Sequence, residues 1–356
     1  MPIVEYTPDR FDDVKKMASE FHRQMNLAHR PFVDYYYATR ASCRLYLYFS
    51  DSGKLLGTLG RELLRFVHNS RELTIRVGTN WYSLRRGVGG ELSQYSASAS
   101  PHATGLMFGG SQDTLNILHH YHWIFMPGIR GYFLNNPCNA ASAGEPWWRK
   151  ASKSVLRRAT RKKLPSFVAR LPARLTAEVI VREEKEYRDD LLPTVSPFTF
   201  RFAPTAEYLS WRYNLSLSFV RYRLFRLIVR GKSVGYVILN DSPDQILLAQ
   251  CDGEDASALA YGVLLSILEV GRNDLAPRTV FLVCSHPEMA KILRGFGFWP
   301  QRGGDYPFAF RTQLPGLDLA PDTSNWLINF DWGDNGLRQT VLDRANSGGK
   351  DTGEII

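Results

Sequence analysis

The stretch "NWYSLRRGVGGELSQYS", Asn80 to Ser96, decides how this chain is read. An apolar, aromatic run ends at Ser83. Arg85 and Arg86 follow, then Gly87, Gly89 and Gly90. A surface turn or a flexible basic loop would account for the composition, but the order says more. A strand that runs through glycines into a helix brings bare backbone close to whatever sits at the helix start. The first amide N–H groups of that helix then point at an anion. Val88, Gly89, Gly90 and Glu91 would supply those donors, and Arg85 and Arg86 the countercharge. The reading requires a strand before the cluster and a helix after it.

Both neighbours are present in the pattern. "RELTIRVGTNWYS" (Arg71 to Ser83) reads as a strand and "ELSQYSAS" as a short polar helix. Further upstream, "IVEY" is a short strand, and Thr7, Pro8 and Asp9 give helix-start chemistry. Phe11, Val14, Ala18, Phe21 and Met25 then recur at helical spacing. "CRLYLYF" and "LLGTLGRELLRFV" read as a strand pair turned by "DSGK". Downstream come a strand, "TGLMFGGS", a helix, "QDTLNILHHYHW", and a closing strand, "RGYFLNN".

The second half repeats this order. "FRLIVRGKSVGYVIL" mirrors "LYLYFSDSGKLLGTL", with Gly231 and Gly235 matching Gly53 and Gly57. "TVFLVCSHPEMAKILRGFGFW" mirrors "TGLMFGGSQDTLNILHHYHW", with Ile292-Leu293 matching Ile117-Leu118. The two offsets are 178 and 175 residues. Order and separation kept together point to two copies of one α/β domain.

Strand, "LRRGVGGEL" and helix together resemble motif A of the GNAT acyl-CoA acyltransferase superfamily, Q/R-x-x-G-x-G/A, with Leu84, Gly87 and Gly89 at its defining positions. The resemblance covers nearly all of residues 1–137 in element order and, more loosely, 178–318. "RFAPTAEYLSWRY" and "NWLINFDWGD" are similar to tandem GNAT-like proteins of bacterial polysaccharide biosynthesis. A more distant resemblance is to the Fem aminoacyltransferases, which pair two GNAT-like domains. The implied fold is α/β (α+β): two GNAT-like domains, each a mixed, mostly antiparallel central sheet flanked by helices. The expected boundaries are a motif-A domain at 1–137, a basic linker at 138–177, a degenerate second domain at 178–318 and an extension at 319–356. The implied activity is acyl transfer from acetyl-CoA or another acyl-CoA to an amine of a sugar or other small acceptor, without a metal. A Fem-like transferase using aminoacyl-tRNA and a non-catalytic module in an assembly are the alternatives.

The sequence departs from the family at three places. Leu84 replaces the usual Gln or Arg. The late-helix tyrosine that donates a proton to the departing thiolate is Leu118 in one copy and Leu293 in the other. The second copy, "QCDGEDASALAYGVLLSIL", has no glycine pair with basic neighbours, so CoA belongs to the first.

The resemblance places Asn80, Trp81 and Tyr82 on the strand edge that offers an N–H to the thioester carbonyl. Asn80 is either a side-chain donor there or a strand-end turn residue. "HHYH" holds His119, His120 and His122; His119 is the candidate base, against a plain helix C-terminus whose dipole favours histidine. No carboxylate or Cys nearby supports a metal. In "EYLSWRY", Tyr208 and Arg212 are candidates for an anionic or sugar acceptor, and Trp211 for the helix's core face. Cys251 and Cys284 sit in apolar runs and read as core. Walker, zinc and G-x-S-x-G spacings are missing from the sequence, which leaves nucleoside triphosphatase and serine hydrolase readings without residues.

At 356 residues and 44% hydrophobic content the chain suits two domains. Its four cysteines lie far apart, its start lacks signal-peptide pattern, and no apolar run approaches the roughly 20 residues of a membrane span. A cytoplasmic setting is expected. The net charge of +9 is local: ten Lys or Arg and no acid lie between Arg149 and Arg174, and removing that stretch leaves −1. Pro165 divides it into two pieces. With Trp147, Trp148, Leu164 and Phe167 it suits either a solvated linker helix between the domains or peripheral attachment to an anionic membrane, at the inner face, and both better than nucleic acid.

Overall fold

The computed structural model describes residues 3–21, 25–100, 104–135, 148, 155, 162–172, 178–243, 245–301, 305–311 and 323–328. The chain divides into two units. The first comprises Met1–Ile129, Phe198–Pro204 and Asp305–Arg338, and the second Arg130–Pro197, Thr205–Gly304 and Gln339–Ile356.

The chain opens with β1 (Ile3–Glu5), α1 (Phe11–Ala18), α2 (Arg30–Ala38), β2 (Cys43–Phe49), β3 (Leu55–His68) and β4 (Arg71–Ser83). Next come α3 (Val88–Ser98), β5 (Thr104–Phe108), α4 (Gln112–His120) and β6 (Ile124–Phe125). β7 (Arg130–Leu134) and β8 (Val179–Glu184) belong to the second unit, and β9 (Phe200–Phe202) to the first. The second unit continues with α5 (Ala206–Arg212), β10 (Tyr222–Val229), β11 (Lys232–Asp241), β12 (Gln245–Gly253), α6 (Ala256–Val270), β13 (Thr279–Cys284), α7 (Pro287–Phe296) and β14 (Trp299–Pro300). β15 (Phe308–Arg311) and β16 (Trp326–Leu327) return to the first.

Local chemistry accounts for these elements. α1 buries Phe11, Val14, Met17 and Ala18, a stripe at spacings of three and four. β2 is buried along nearly its whole length because α2 and α3 both pack on it. α6 is apolar almost all round, and Leu259, Val263, Leu264 and Ile267 are all buried. Asp255 caps its start by accepting from the Ala258 N–H at 2.7 Å. Cys251 and Cys284 are buried, as read from their apolar runs, and Cys43 is buried too; burial pushes the Cys284 thiol up to about 12 and Cys251 well above its usual value.

Among the described residues, the first sheet runs β1-β2-β3-β4-β5-β15-β6, with β9 against the far end of β3 and β16 beside β9. The second runs β14-β7-β13-β12-β11-β10-β8. Only β4–β5, β12–β13 and β9–β16 are parallel, so both sheets are mixed and mostly antiparallel, as the sequence predicts.

The two halves repeat down to register. Tyr48 pairs with Gly57 but Phe49 with Leu55; Leu227 pairs with Gly235 but Ile228 with Ser233. Each hairpin therefore slips just before the matching glycine. At the end of the late helix, Trp123 N–H donates to Leu118 O and Phe298 N–H to Leu293 O, both at 3.0 Å. The intervening His122 and Gly297 both take positive φ, as this helix-ending motif demands.

Three expectations need correction. "RGYFLNN" does not close the first domain: its strand, β7, lies between β13 and β14 in the second sheet. β15 takes the vacated place between β5 and β6. Ala309 stands 178 residues after Gly131, so the two closing strands are repeat equivalents that have traded sheets. Second, Phe198–Pro204, expected within the second domain, belongs to the first unit, where β9 pairs with β3. Third, Leu164 and Phe167, expected to face a membrane, are buried. They sit on a 3₁₀ turn, Leu164–Arg170, opened by Pro165; Phe167 packs on Phe296 and Arg170 Nη1 donates to Phe296 O at 2.8 Å. Arg149, Arg157, Arg158, Arg161, Arg174 and Trp147 lie outside the described residues.

Candidate functional site

The quoted stretch folds as its chemistry requires. β4 ends at Ser83, and Leu84 N–H still donates to Leu56 O at 2.8 Å. Gly87 turns the chain at φ +92°, and a Cβ there would meet nothing within 4 Å. α3 begins at Val88 with no side chain capping it. The Gly89 and Gly90 N–H groups have no acceptor among the described residues. Val88 and Leu92 anchor the helix on Tyr46, Tyr48 and Leu59. That seat needs Gly57, whose Cβ would stand 2.6 Å from Val88 Cγ1. Arg85 and Arg86 are exposed beside the open helix start. Glu91 bonds the buried Tyr48 phenol, which burial and then this bond push up.

β4 also bulges. Thr58 pairs with Tyr82 and Gly60 with Thr79, so β4 carries one residue too many. Asn80 absorbs it at φ +44° and is 2% exposed. Thr58 Oγ1 donates to Asn80 O at 3.0 Å, and Asn80 Nδ2 donates to Tyr37 Oη at 2.6 Å. Beyond the Val77–Leu106 pair, β4 and β5 stop pairing although both strands continue.

The second unit repeats this scaffold and closes it. β12 bulges between its pairs with Ile238 and Leu239, and β12 and β13 part after Leu247–Phe281. The start of α6 carries a side-chain cap of its own. Asp255 caps it, and Glu254 binds Lys232 Nζ at 2.8 Å and Thr194 Oγ1 at 3.0 Å. Ser257 donates to Glu288, joining α6 to α7.

No protein-family model and no curated protein matches the sequence. Solved structures do. A tandem GNAT protein from the clavulanic acid biosynthesis pathway is 13% identical, with a TM-score of 0.51 over 87% of this chain and 98% of that one. Saccharomyces cerevisiae N-myristoyltransferase with bound myristoyl-CoA is 11% identical, with a TM-score of 0.54 over 87% and 81%. The chain has a tandem GNAT fold.

Within this tandem GNAT fold, Trp81, Tyr82, Arg85, Arg86, Gly87, Val88, Gly89, Gly90 and Glu91 are brought together at the end of β4 and the start of α3. Their roles divide. Val88 is core, and the Gly89 Cβ direction points at the Trp81 indole, 3.1 Å from Nε1. A carboxylate side chain at Gly89 would therefore break packing before it met a ligand. The Asn80 side chain is buried, and its amide donates to Tyr37. His119 is exposed and stacks on Phe125 at 4.2 Å; His120 and His122 are exposed at the same helix end. Among the described residues no His, Cys, Asp or Glu group could hold a metal. No helix among them is long and apolar enough to cross a membrane.

In the second unit the expected order of burial is reversed. Arg212 is 2% exposed and lies over the Tyr213 ring, whereas Trp211 is half-buried against Tyr208. Sequence reasoning missed Tyr37 and Thr58, which no local pattern marks. Tyr121 was also missed: it accepts from Gln94 Nε2 at 3.0 Å and faces Gly90.

Proposed function

We propose that the first unit binds an acyl-CoA and passes its acyl group to an amine of a sugar or another small acceptor. One observation carries the reading: the start of α3 is glycine-lined with no side-chain cap, whereas the equivalent start of α6 is capped by its own Asp255 carboxylate. Bound there, acyl-CoA would supply an activated thioester. The Gly89 and Gly90 N–H groups donate to its pyrophosphate, and the helix dipole and the Arg85 and Arg86 guanidiniums offset the charge. The β4 edge left unpaired beyond Val77 offers backbone N–H groups to the oxyanion that develops on the carbonyl. The bulge held by Asn80 and Tyr37 fixes that edge before any ligand arrives.

Leu118 supports a second reading. It is 1% exposed and packs against Met107 and Ala309, so it supplies no proton to a departing thiolate. A non-catalytic module that binds CoA fits this observation. Calorimetry with acetyl-CoA and CoA tests the shared premise. Micromolar binding is expected in the wild type, with at least a tenfold loss in the Arg85→Glu/Arg86→Glu double variant at unchanged Tm. Equal affinity in the two proteins would remove the cradle. Transfer to a panel of amino sugars and small amines then separates enzyme from module.

A further inference from the structure

Three arginines converge near the opposite end of α3. Arg61 lies on β3, Arg76 on β4 and Arg311 on β15. Arg76, Gly105 and Arg311 form one register row across β4, β5 and β15. Strand spacing sets the two arginine Cα atoms about 10 Å apart. Gly105 between them lets Trp123 and the Arg76 guanidinium lie close on the sheet: its Cβ would stand 2.8 Å from Trp123 Cη2 and 3.2 Å from Arg76 Nη2. Arg311 lies over the Tyr121 ring at 6.0 Å. Arg61 and Arg76 meet at Ser100, where Arg61 Nη1 donates to Ser100 Oγ at 3.0 Å and Arg76 Nη1 to Ser100 O at 3.1 Å.

The charge there is not balanced. Among the described residues no carboxylate pairs with Arg61, Arg76 or Arg311. Glu5, near Tyr46 below Arg61, is held by Arg44 at 3.4 Å. The α3 C-terminus contributes only about −0.5 charge. Arg61 is 7% exposed, and its buried Nε has no hydrogen-bond partner. Burial, followed by repulsion from Arg61 and Arg311, lowers the Arg76 pKa. Exposure rises from Arg61 through Arg76 to Arg311, giving the cluster an open side.

We propose that Arg61, Arg76 and Arg311, flanked by Tyr121 and Trp123, form a binding site for a small oxyanion, phosphate or carboxylate. α3 has 11 residues, so the site lies about 16 Å from the glycine cradle and does not depend on it. Guanidinium forks suit the paired oxygens of either group, and the bound anion supplies the missing negative charge.

Inorganic phosphate and citrate, each against sodium chloride at equal ionic strength, test the site by thermal unfolding and calorimetry. A saturable rise in Tm is expected with at least one oxyanion, and whichever acts identifies the class. Arg311 is exposed, so Arg311→Gln should fold normally, lose the rise and keep its CoA affinity. Arg76→Gln should weaken oxyanion binding at least tenfold. The Arg85→Glu/Arg86→Glu variant should keep the whole response. No rise beyond chloride, or a rise equal in wild type and Arg311→Gln, overturns the proposal. A response lost with Arg85 and Arg86 but kept in Arg311→Gln would put the anion in the cradle and also overturn it.

Discussion

Trp81 Nε1 donates to the Gly89 carbonyl at 3.2 Å, tying the end of β4 to the first turn of α3 across the arginine–glycine loop. The same side chain packs against two core clusters, that of Tyr46, Tyr48, Leu59, Val88 and Leu92 and that of Met107, Leu118 and Ala309. One side chain therefore fixes the angle at which the helix start faces solvent.

Trp81→Phe keeps most of the packing and removes the bond. A loss of about 0.5–1.5 kcal/mol is expected in denaturant unfolding. CoA affinity should fall severalfold, because the Gly89 and Gly90 amides lose their fixed direction. Unchanged stability and affinity together would show the tie to be idle.

Two glycines should respond in opposite directions. Gly87→Ala must hold φ +92°, which costs about 1–3 kcal/mol and should lower Tm. Gly295 lies inside α7 at ordinary φ with nothing within 4 Å of its Cβ direction. Gly295→Ala should raise stability by about 0.5–1 kcal/mol. A Gly87→Ala protein as stable as the wild type would mean that the turn relaxes freely.

The Asn80–Tyr37 bond makes a coupled pair. Asn80→Ala withdraws a donor from the Tyr37 hydroxyl, and Tyr37→Phe leaves the buried Asn80 amide without that acceptor. Each should cost about 1–3 kcal/mol. The double variant should cost clearly less than their sum. Strict additivity in a double-mutant cycle would argue against one network.

Acid should weaken the fold before carboxylates titrate. Burial lowers the pKa of His68 and of His286 below the ordinary 6.5. The unfolded chain then binds protons more readily than the folded one, and stability falls as pH drops below about 6.5. Held low chiefly by their arginine and lysine partners, Glu183, Asp190 and Glu254 add a further loss below their ordinary values. Tm measured from pH 7 to 5 should decline, less steeply in His68→Gln and His286→Gln. A flat profile in the wild type would contradict both histidine assignments.

The cradle was legible because its chemistry is contiguous: strand, arginines, glycines and helix follow one another from Arg71 to Ser98. The lack of a glycine pair with basic neighbours in the second copy was legible for the same reason, though the Asp255 cap was not read from it. What was not legible depends on register. The Asn80 bond exists only because β4 carries an extra residue opposite Leu59, and propensity does not record a bulge. Arg61, Arg76 and Arg311 are ordinary surface charges in sequence and become neighbours only when β15 pairs beside β5. The inverted burial of Trp211 and Arg212 follows from the rotation of α5, one seven-residue helix whose short pattern fixes no face.

The traded strands set a schedule for synthesis. The first sheet needs β15, yet every residue from β7 through β14 is translated before it. At ribosomal rates of about 5–20 residues per second, the edge of β5 waits roughly 10–40 s for its partner. Until then it is an unpaired apolar edge of the kind that recruits other chains. Residues 1–137 made alone should therefore aggregate, and co-production of residues 138–356 should recover soluble protein. Lineages built this way would be expected to gain or lose the two repeats together, because neither half of the gene encodes a finished sheet.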